Sequence, residues 1–263
     1  MLIAVEHLGS VGVGVTSPQF FRANDGNVYV VKLQNNRLGP KVLVSEFVAA
    51  KFGEIMGLCF PASDIIEINE QTLQKSQCLI APEISLGRHF ASLYLEHAEY
   101  VEKHNLHQGI NIAEMAGVLL FDHMFHNPDR AKNRRNLLMR LEDNGYKIYA
   151  IDNSHLFRSG RWTLESLNSL STRIKPYDRY SFGLLLRNFL SPQDFLPYLE
   201  KVATIHNEDI ETIVGEIPNE WLPNRAERQG LAHHIKIRCD MAEKIWDILC
   251  GHIPKARGGY RWL

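Results

Sequence analysis

The first third of the chain shows a strand-like pattern of apolar and polar positions. Residues 28–33, VYVVKL, are rich in β-branched and aromatic side chains, and the Asp-Gly step just before them is a strong hairpin signal. This pattern predicts two paired strands around 18–23 and 28–34. Two further short strands are predicted at about 64–68 and 77–81.

One helix interrupts this strand-rich region. In residues 39–58 the apolar side chains recur at spacings of three and four, and Gly57 supplies a stop. Residues 82–89, PEISLGRH, place Pro and Gly after an apolar strand and are predicted to be a connector. We therefore predict a β-rich region with one helix over residues 1–85.

The pattern becomes mainly helical after the connector. Residues 112–125 are mostly apolar, which predicts a buried helix. A small hairpin with strands at 136–141 and 146–151 is embedded in this half, and the helical pattern continues from about residue 162. The sequence thus predicts an α+β, bilobal, protein-kinase-like fold, with a small β-rich lobe over 1–85 and a larger, mainly helical lobe over 86–263. A cleft between two lobes is a favoured ligand site.

Composition narrows the function classes. The chain has 263 residues, of which 45% are hydrophobic and 22% charged, as in an ordinary globular protein. Its formal net charge of −1 argues against direct nucleic-acid binding. The four cysteines form no Cys-x-x-Cys pair, and no apolar run is long enough to span a membrane. Few cysteines and a start unlike a secretion signal favour a cytoplasmic protein.

Residues 127–139, NPDRAKNRRNLLM, place acidic and amide side chains among four cations just before a predicted strand. Asp129 and Asn136 could belong to an ordinary turn, since Asp, Asn and Pro are common in loops. Asp152 follows the next strand, and it could also be a turn residue. Together, however, these three side chains supply what phosphoryl transfer needs, namely a carboxylate for the attacking group and oxygen ligands for Mg²⁺.

Lys32 lies inside a predicted strand, where a lysine requires an explanation. It could be an edge-strand lysine that points to solvent. Alternatively, Lys32 pairs with Glu46 on the following helix and places its ammonium group on ATP phosphates. Glu46 lies in the second turn of an otherwise apolar helix, as this second reading requires, although it could be a simple exposed side chain.

Residues 1–34 are β-like, and the Gly-rich segment at 9–20, GSVGVGVTSPQF, lies between the first two strands of this region. Glycines allow the backbone to approach phosphates, and successive N–H groups can form an anion site. Gly12, Gly14, Thr16 and Ser17 could therefore surround the phosphates of a nucleotide. The segment is not a P-loop, because no Gly-Lys-Ser/Thr follows.

The chain resembles the HipA-like kinase family in the order of its motifs. These motifs are the Gly-rich segment, VYVVK, the helix with its Glu, FDHMFHNPDRAKNRRNLL and AIDN. The chain also resembles, more distantly, the phosphatidylinositol 3/4-kinase-like fold. The similarity covers about residues 9–160, with a weaker match at 217–221. It implies a Mg²⁺/ATP-dependent phosphotransferase of a bacterial family. The implied roles are catalysis for Asp129, Mg²⁺ binding for Asn136 and Asp152, phosphate contact for Lys32, and an interlobe hinge beside the adenine for Glu83 and Ile84.

The chain departs from the family pattern at three places. Related kinases often carry the metal-binding Asn five residues after the catalytic Asp, but here that position is Arg134, with Asn133 and Asn136 on either side. Asn136 fits better because NLL continues into the strand. Ala131 stands where related kinases usually have His, and Ser154 stands where they often have Gly. These departures leave open a pseudokinase-like module that binds a nucleotide or a partner, and an enzyme that transfers AMP.

The acceptor is not identified by the sequence. A protein Ser/Thr ranks first, ahead of a small metabolite or a lipid headgroup, because no basic amphipathic anchor favours lipid. The cations Arg130, Lys132, Arg134 and Arg135 form either a solvated loop or a site that recognises an anionic substrate or a phosphate on a partner. Arg130 could instead make a structural ion pair near Asp129.

Overall fold

The computed structural model describes residues 1–74 and 83–254. Its N-terminal region contains five strands: β1 (Leu2–Ser10), β2 (Gln19–Ala23), β3 (Val28–Lys32), β4 (Ser63–Ile68) and β5 (Gly87–Leu93). They close into a barrel in the order β1-β2-β3-β5-β4, with antiparallel neighbours except for the parallel pair β1 and β4. Phe21, Val31 and Ile66 are fully buried and belong to the core of the barrel.

The hairpin predicted around the Asp-Gly step is confirmed as β2 and β3. Gly26 has a φ of 85°, a left-handed conformation that glycine adopts without steric cost. The strand predicted at 64–68 is also confirmed, as β4. The strand predicted at 77–81 lies outside the described residues.

Strand β5 corrects the connector that was predicted over 82–89. Its first residues look polar, yet His89 is fully buried and both of its ring nitrogens are hydrogen-bonded. Nδ1 accepts from the backbone N of Gln34 at 2.8 Å, and Nε2 lies 2.9 Å from the carbonyl of Ser85. Burial lowers the pKa of His89 to about 4, so the ring is neutral at pH 7. A satisfied, neutral histidine can therefore occupy a core strand despite its polar character.

Helix α1 (Lys41–Met56) joins the barrel to the rest of the molecule. It ends as predicted at Gly57, which has a φ of 65°. Most of its side chains are buried, and they pack into the same core as the helices that follow later in the chain. Phe52, for example, meets Phe125 edge to face at 4.8 Å. A second, one-turn helix, α2 (Glu70–Gln74), accompanies α1 in this region and was not expected.

The C-terminal region is mainly helical. The predicted small hairpin is confirmed as β7 (Leu137–Glu142) and β8 (Gly145–Ala150), and the two-residue strand β6 (Glu99–Tyr100) adds to it to give the order β6-β7-β8. The run at 226–250 forms two helices, separated at Met241, where ψ is 1°. No helix of the described residues is long and apolar enough to cross a membrane. The α-helices of this region are α3 (Met115–Met124), α4 (Pro128–Lys132), α5 (Leu164–Ser171), α6 (Tyr180–Asn188), α7 (Leu196–Ala203), α8 (Asn207–Glu216), α9 (Arg225–Asp240) and α10 (Ala242–Cys250).

Polar contacts fasten the two regions to each other. Lys41 at the start of α1 donates to Glu227 on α9 at 2.6 Å. Arg88 on β5 makes a two-pronged ion pair with Glu220 at 2.6 and 2.7 Å, and the indole of Trp221 donates to the Arg88 carbonyl at 2.9 Å. Glu220 and Trp221 lie in the 217–221 segment, so this segment binds the barrel directly.

Candidate active site

Lys32 contacts two carboxylates that come from distant parts of the chain. Lys32 is the last residue of β3, Glu46 lies on α1, and Asp152 follows β8. The Lys32 ammonium donates to Glu46 Oε1 and, at 2.7 Å, to Asp152 Oδ1. Since β3 is paired on one side with β2 and on the other with β5, Lys32 is not an edge-strand residue. The structure therefore brings the predicted pair Lys32 and Glu46 together, and adds Asp152 to it.

The charges in this cluster stabilise one another. Burial alone would lower the pKa of Lys32, but Asp152 and Glu46 outweigh burial and raise that pKa above its usual range. Burial would likewise raise the pKa of Asp152, but the Lys32 ammonium and the hydrogen bonds from Ser154 hold it well below its usual range. At neutral pH the site thus contains a lysine cation and an ionised Asp152.

The turn after β8 aims Asp152 at Lys32. Asp152 has a φ of 61°, a left-handed conformation that aspartate tolerates better than most residues. The Ser154 hydroxyl donates to Asp152 Oδ1 at 2.5 Å, and the Ser154 backbone N at 3.2 Å. The backbone N of Asn153 donates to Glu46 Oε1 at 3.0 Å. Ser154, at a position where related kinases often have Gly, thus contributes a direct hydrogen bond to the carboxylate.

Asp129 lies beside this cluster, on the one-turn helix α4. The Asn136 side-chain amide donates to Asp129 Oδ2 at 2.6 Å. The backbone carbonyl of Asn136 also accepts from the backbone N of Ile151 at 3.0 Å, and Ile151 directly precedes Asp152. Asn136 therefore connects the Asp129 segment to the Asp152 segment.

Asn133 and Asn136, the two alternatives at the irregular spacing, have different environments. Asn136 is 3% exposed and touches Asp129. The Asn133 side-chain oxygen accepts from the backbone N of Arg135 at 3.2 Å, which caps the turn at 134–136. Its amide donates to Asn136 Oδ1 at 3.1 Å. Asn133 thus supports Asn136 and the loop, and Arg134 between them is exposed.

Arg130 is a scaffold residue and does not face solvent. It is fully buried and forms an ion pair with Asp122 on α3. It also donates to Asn153 Oδ1 at 2.6 Å and to the Ile151 carbonyl at 3.2 Å. Burial raises the pKa of Asp122 to about 6 against the opposing effect of Arg130. The structural ion pair considered from the sequence is therefore present, and one guanidinium ties α3 and α4 to the turn that carries Asp152.

The partner Asp122 was missed in the sequence. It lies within the apolar run 112–125, which was assigned to the core. A carboxylate inside such a run was the available signal, because an ionisable side chain is almost never fully buried without a partner.

The loop between β1 and β2 lies at the same end of the barrel as Lys32. Ser10 pairs with Gln19, and Gln19 pairs with Val31, the residue before Lys32. The loop that spans residues 11–18 therefore begins and ends next to the Lys32 end of the sheet.

The four loop residues predicted to surround phosphates differ in their local structure. Gly12 and Gly14 have φ values of 80° and 102°, which favour glycine strongly. Ser17 donates its backbone N to the Gly14 carbonyl at 3.1 Å and closes a turn. Thr16 is 6% exposed. The described contacts of these residues lie within the loop and its flanks, and their approach to a phosphate stays a prediction.

Glu83 and Ile84 are not the connection between the two regions. β5 follows them and pairs with β3 and β4, so the chain returns to the barrel after residue 84. It leaves the barrel only after Leu93, and the connection begins at Tyr94. The predicted hinge was misplaced because β5 was taken for a connector. Contact of either residue with a nucleotide stays a prediction.

The described residues contain no group of three or more His, Cys, Asp or Glu that could hold a metal ion. Metal binding by Asp152 and Asn136 stays a prediction, and the amide oxygen of Asn136 accepts from the Asn133 amide at 3.1 Å. A groove of about 600 Å³ between α8 and α9 shares no residue with the site. This groove is therefore separate from the candidate active site, whatever its size.

The fold is that of kinases. A proinflammatory kinase of Helicobacter pylori, CtkA, superposes with a TM-score of 0.56 at 13% identity, over 95% of this chain and 98% of that one. The hydra Fam20 structure with sugar gives 0.54 at 12%, over 94% and 87%. The Golgi casein kinase with Mn and ADP gives 0.52 at 8%, over 94% and 73%.

The family follows from the sequence itself. The family model described as HipA-like kinase matches residues 4–245, and the chain belongs to this family. This confirms the resemblance drawn from the sequence motifs, and the protein is a kinase. No curated protein shows significant similarity to the chain.

Proposed function

We propose that this kinase transfers the γ-phosphoryl group of ATP to a Ser or Thr hydroxyl of a protein, with Mg²⁺ as the required cation. One observation carries the proposal. Lys32 binds Asp152 at 2.7 Å, while Asn136 joins Asp129 to the strand segment just before Asp152. Side chains from four separate segments therefore form two pairs that are joined through the backbone, and they are the residue types that phosphoryl transfer uses.

Lys32 would bind the phosphates of ATP. Its charge is secured by the two carboxylates, and Glu46, 5% exposed, fixes its position from α1. The Asp152 carboxylate, 33% exposed, is the more accessible partner. When phosphates enter, Lys32 can exchange part of its contact with Asp152 for the phosphate oxygens and keep Glu46. The loop at 11–18, with Gly12 and Gly14, would then cover the phosphates.

Asp152 and Asn136 fit a hard divalent cation. Both offer oxygen atoms, which Mg²⁺ prefers, and the hydrogen bonds described for the Asp152 carboxylate all end on Oδ1. A cation held there would neutralise charge on the phosphates during transfer. The Mn and ADP of the Golgi casein kinase structure support this assignment.

Asp129 would orient the acceptor hydroxyl and accept its proton. The Asn136 amide holds Oδ2, and the side chain is 27% exposed, so the other oxygen can face a substrate. The acceptor oxygen forms a bond to the γ-phosphorus as the bond from that phosphorus to the bridging oxygen breaks, and ADP leaves. Catalysis would come mainly from positioning and electrostatic stabilisation, because little covalent chemistry falls to the protein.

The departure at Ala131 is accompanied by another imidazole. His155 Nδ1 lies 3.9 Å from Asp129 Oδ2, and its other neighbour is the Ser154 hydroxyl at 3.2 Å. Ala131 itself is buried, at 3% exposure. An imidazole from residue 155 therefore stands next to the carboxylate even though residue 131 supplies none.

The test is mass spectrometry of the intact protein after incubation with Mg²⁺ and ATP, beside the Asp129→Ala and Asp152→Ala variants. A phosphoryl group added to wild type and to neither variant would support the proposal, and peptide mapping would identify the acceptor residue. An added AMP would replace the proposal with nucleotidyl transfer. Unchanged mass together with no ATP hydrolysis in the presence of added protein substrates would argue for a binding module.

A further inference from the structure

A cavity of about 240 Å³ lies directly beside the Asp129 loop. Its wall is formed by the segment after β6, by the turn at Arg134 and by the first turns of α6. Ser181 on α6 donates its hydroxyl to the carbonyls of Arg130 and Ala131, at 3.2 and 3.0 Å. These carbonyls immediately follow Asp129, so one wall of the cavity is fastened to the loop that carries the proposed catalytic carboxylate.

The floor of the cavity is apolar. Val101, Leu106, Leu137 and Leu185 line it, and each is nearly or fully buried. Above them, Tyr180 is 63% exposed at the edge of the cavity. An exposed aromatic ring beside a partly open apolar floor provides a surface on which an extended peptide can lie.

The rim of the cavity is cationic. Lys103, Arg134 and Arg187 line it, all exposed, against the single carboxylate of Glu102. Arg134 and Glu102 approach to 3.6 Å, but their side chains are 54% and 48% exposed. A surface pair of this kind contributes little and is easily exchanged for another anion. The ion pair between Glu102 and Arg134 is therefore weak.

We propose that this cavity, which we call the acceptor cavity, binds the part of a protein substrate next to the phosphorylated residue and selects an acidic side chain there. The carboxylate of the substrate would displace Glu102 from Arg134 and also pair with Arg187. The inference rests on the proposed function for the position of the phosphorylated residue at Asp129, and it extends that function by naming the substrate class.

The combination of floor and rim favours a peptide over other anions. A nucleic-acid backbone needs cations along an extended path, whereas here they border one small apolar cavity. A free inorganic anion would use the arginines and leave the floor unused. An acidic residue flanked by an apolar one uses both parts.

Binding can be measured without catalysis. Two short fluorescein-labelled peptides share a central Ala at the acceptor position and one Leu, and they differ only in Glu against Gln at the flanking positions. Fluorescence anisotropy with wild-type protein should show tighter binding of the Glu peptide. Arg134→Ala and Arg187→Ala should each weaken the Glu peptide about three-fold, and the double variant about ten-fold, with the Gln peptide unchanged.

Two further variants test whether the affinity responds to charge in the expected direction and whether the peptide binds in the cavity. Glu102→Gln should strengthen binding of the Glu peptide by about two-fold, because it frees Arg134. Arg135→Ala is the matched control: it removes a neighbouring exposed cation that lies over the Tyr100 ring at 5.9 Å and does not line the cavity. It should leave both affinities unchanged. Thermal unfolding of each variant verifies that the fold is intact.

Equal affinity for the two peptides would overturn the inference, as would a loss in Arg135→Ala as large as that in Arg134→Ala. Displacement of the peptide by inorganic phosphate at matched ionic strength would reduce the cavity to a general anion site and would also overturn it. Phosphorylation is then measured with Ser in place of the central Ala. Selective binding without phosphoryl transfer would leave the inference standing and count against the proposed function.

Discussion

The barrel and the helical region hold their site residues in opposite ways. Lys32 and Glu46 belong to a central strand and a buried helix, and their side chains are 11% and 5% exposed. Asp129 and Asp152 belong to a one-turn helix and a turn, and their side chains are 27% and 33% exposed. The barrel fixes a cation in regular structure, whereas the helical region presents carboxylates on irregular backbone. This division suits a site in which the phosphates are gripped on one side and chemistry occurs on the other.

Irregular backbone needs support from elsewhere, and here Arg130 provides it. Its guanidinium reaches Asp122, Asn153 and the Ile151 carbonyl from a fully buried position. The carboxylate turn is thus held by the helical core, while the lysine is held by the sheet. Variants of the carboxylates and variants of their buried support should therefore differ in kind, with loss of chemistry in the first case and loss of folding energy in the second.

The largest effect is expected for Asp129→Asn. An amide cannot accept the proton of the acceptor, so we expect phosphoryl transfer to fall by about 10²–10⁴-fold with little loss of stability. The readout is kcat for phosphoryl transfer together with urea unfolding. Asp143→Asn, in the exposed β7–β8 turn, is the matched control. Retention of full activity in Asp129→Asn would exclude the residue from catalysis.

Next in size is Arg130→Met, which should affect folding. It leaves Asp122 buried without its cation, and breaking a buried pair in this way costs about 3–5 kcal/mol. Urea denaturation measures the change in the free energy of unfolding. Arg134→Met, an exposed arginine four residues later, should stay within about 0.5 kcal/mol of wild type.

A double variant separates the contribution of the Arg130–Asp122 ion pair from the cost of leaving Asp122 buried without a cation. Arg130→Met with Asp122→Leu removes both charges, so it should be more stable than Arg130→Met alone. If the double variant is the less stable of the two, Asp122 stabilises the fold through a contact other than the ion pair, such as the hydrogen bond that it accepts from the Asn127 side chain at 3.1 Å.

The pH dependence of stability should show a contribution from Asp122. Burial raises its pKa to about 6, above the usual value of 3.8, so the folded state binds more protons than the unfolded state between these pH values. This group therefore stabilises the fold at low pH and loses that contribution as pH rises through 6. Relative to Asp122→Asn, wild type should gain about 2 kcal/mol between pH 7 and pH 4.

Urea unfolding of both proteins across this range measures the difference. Asp152 contributes in the opposite direction, because its pKa is held low and its stabilisation is lost at acid pH. Comparison with Asp122→Asn cancels that contribution, since both proteins contain Asp152. A difference that does not change with pH would mean that the pKa of Asp122 is the same in the folded and unfolded states.

The sequence predicted the regular part of the site better than the irregular part. Lys32 and Glu46 were visible as charged residues in apolar elements, where an explanation was required. β5 was missed because His89 looks polar and is buried with both nitrogens satisfied, and the misplaced hinge followed from that error. The positive φ of Asp152 has no sequence signal apart from Asp-Asn itself. Such features depend on contacts between distant segments, which a local pattern does not contain.

The smallest effect is expected for Ser154→Ala, and it tests how the carboxylate side is tuned. The Ser154 hydroxyl donates to Asp152 Oδ1 at 2.5 Å, and loss of one such bond costs about 1 kcal/mol. We expect the Mg²⁺ concentration for half-maximal activity to rise about five-fold, with kcat at saturation little changed. Ser159→Ala, in which an exposed hydroxyl that accepts from the backbone N of Arg161 is lost, is the matched control. An unchanged Mg²⁺ requirement would mean that Lys32 and the backbone N of Ser154 suffice to position Asp152, so that the barrel contributes to the carboxylate side of the site as well as to its own.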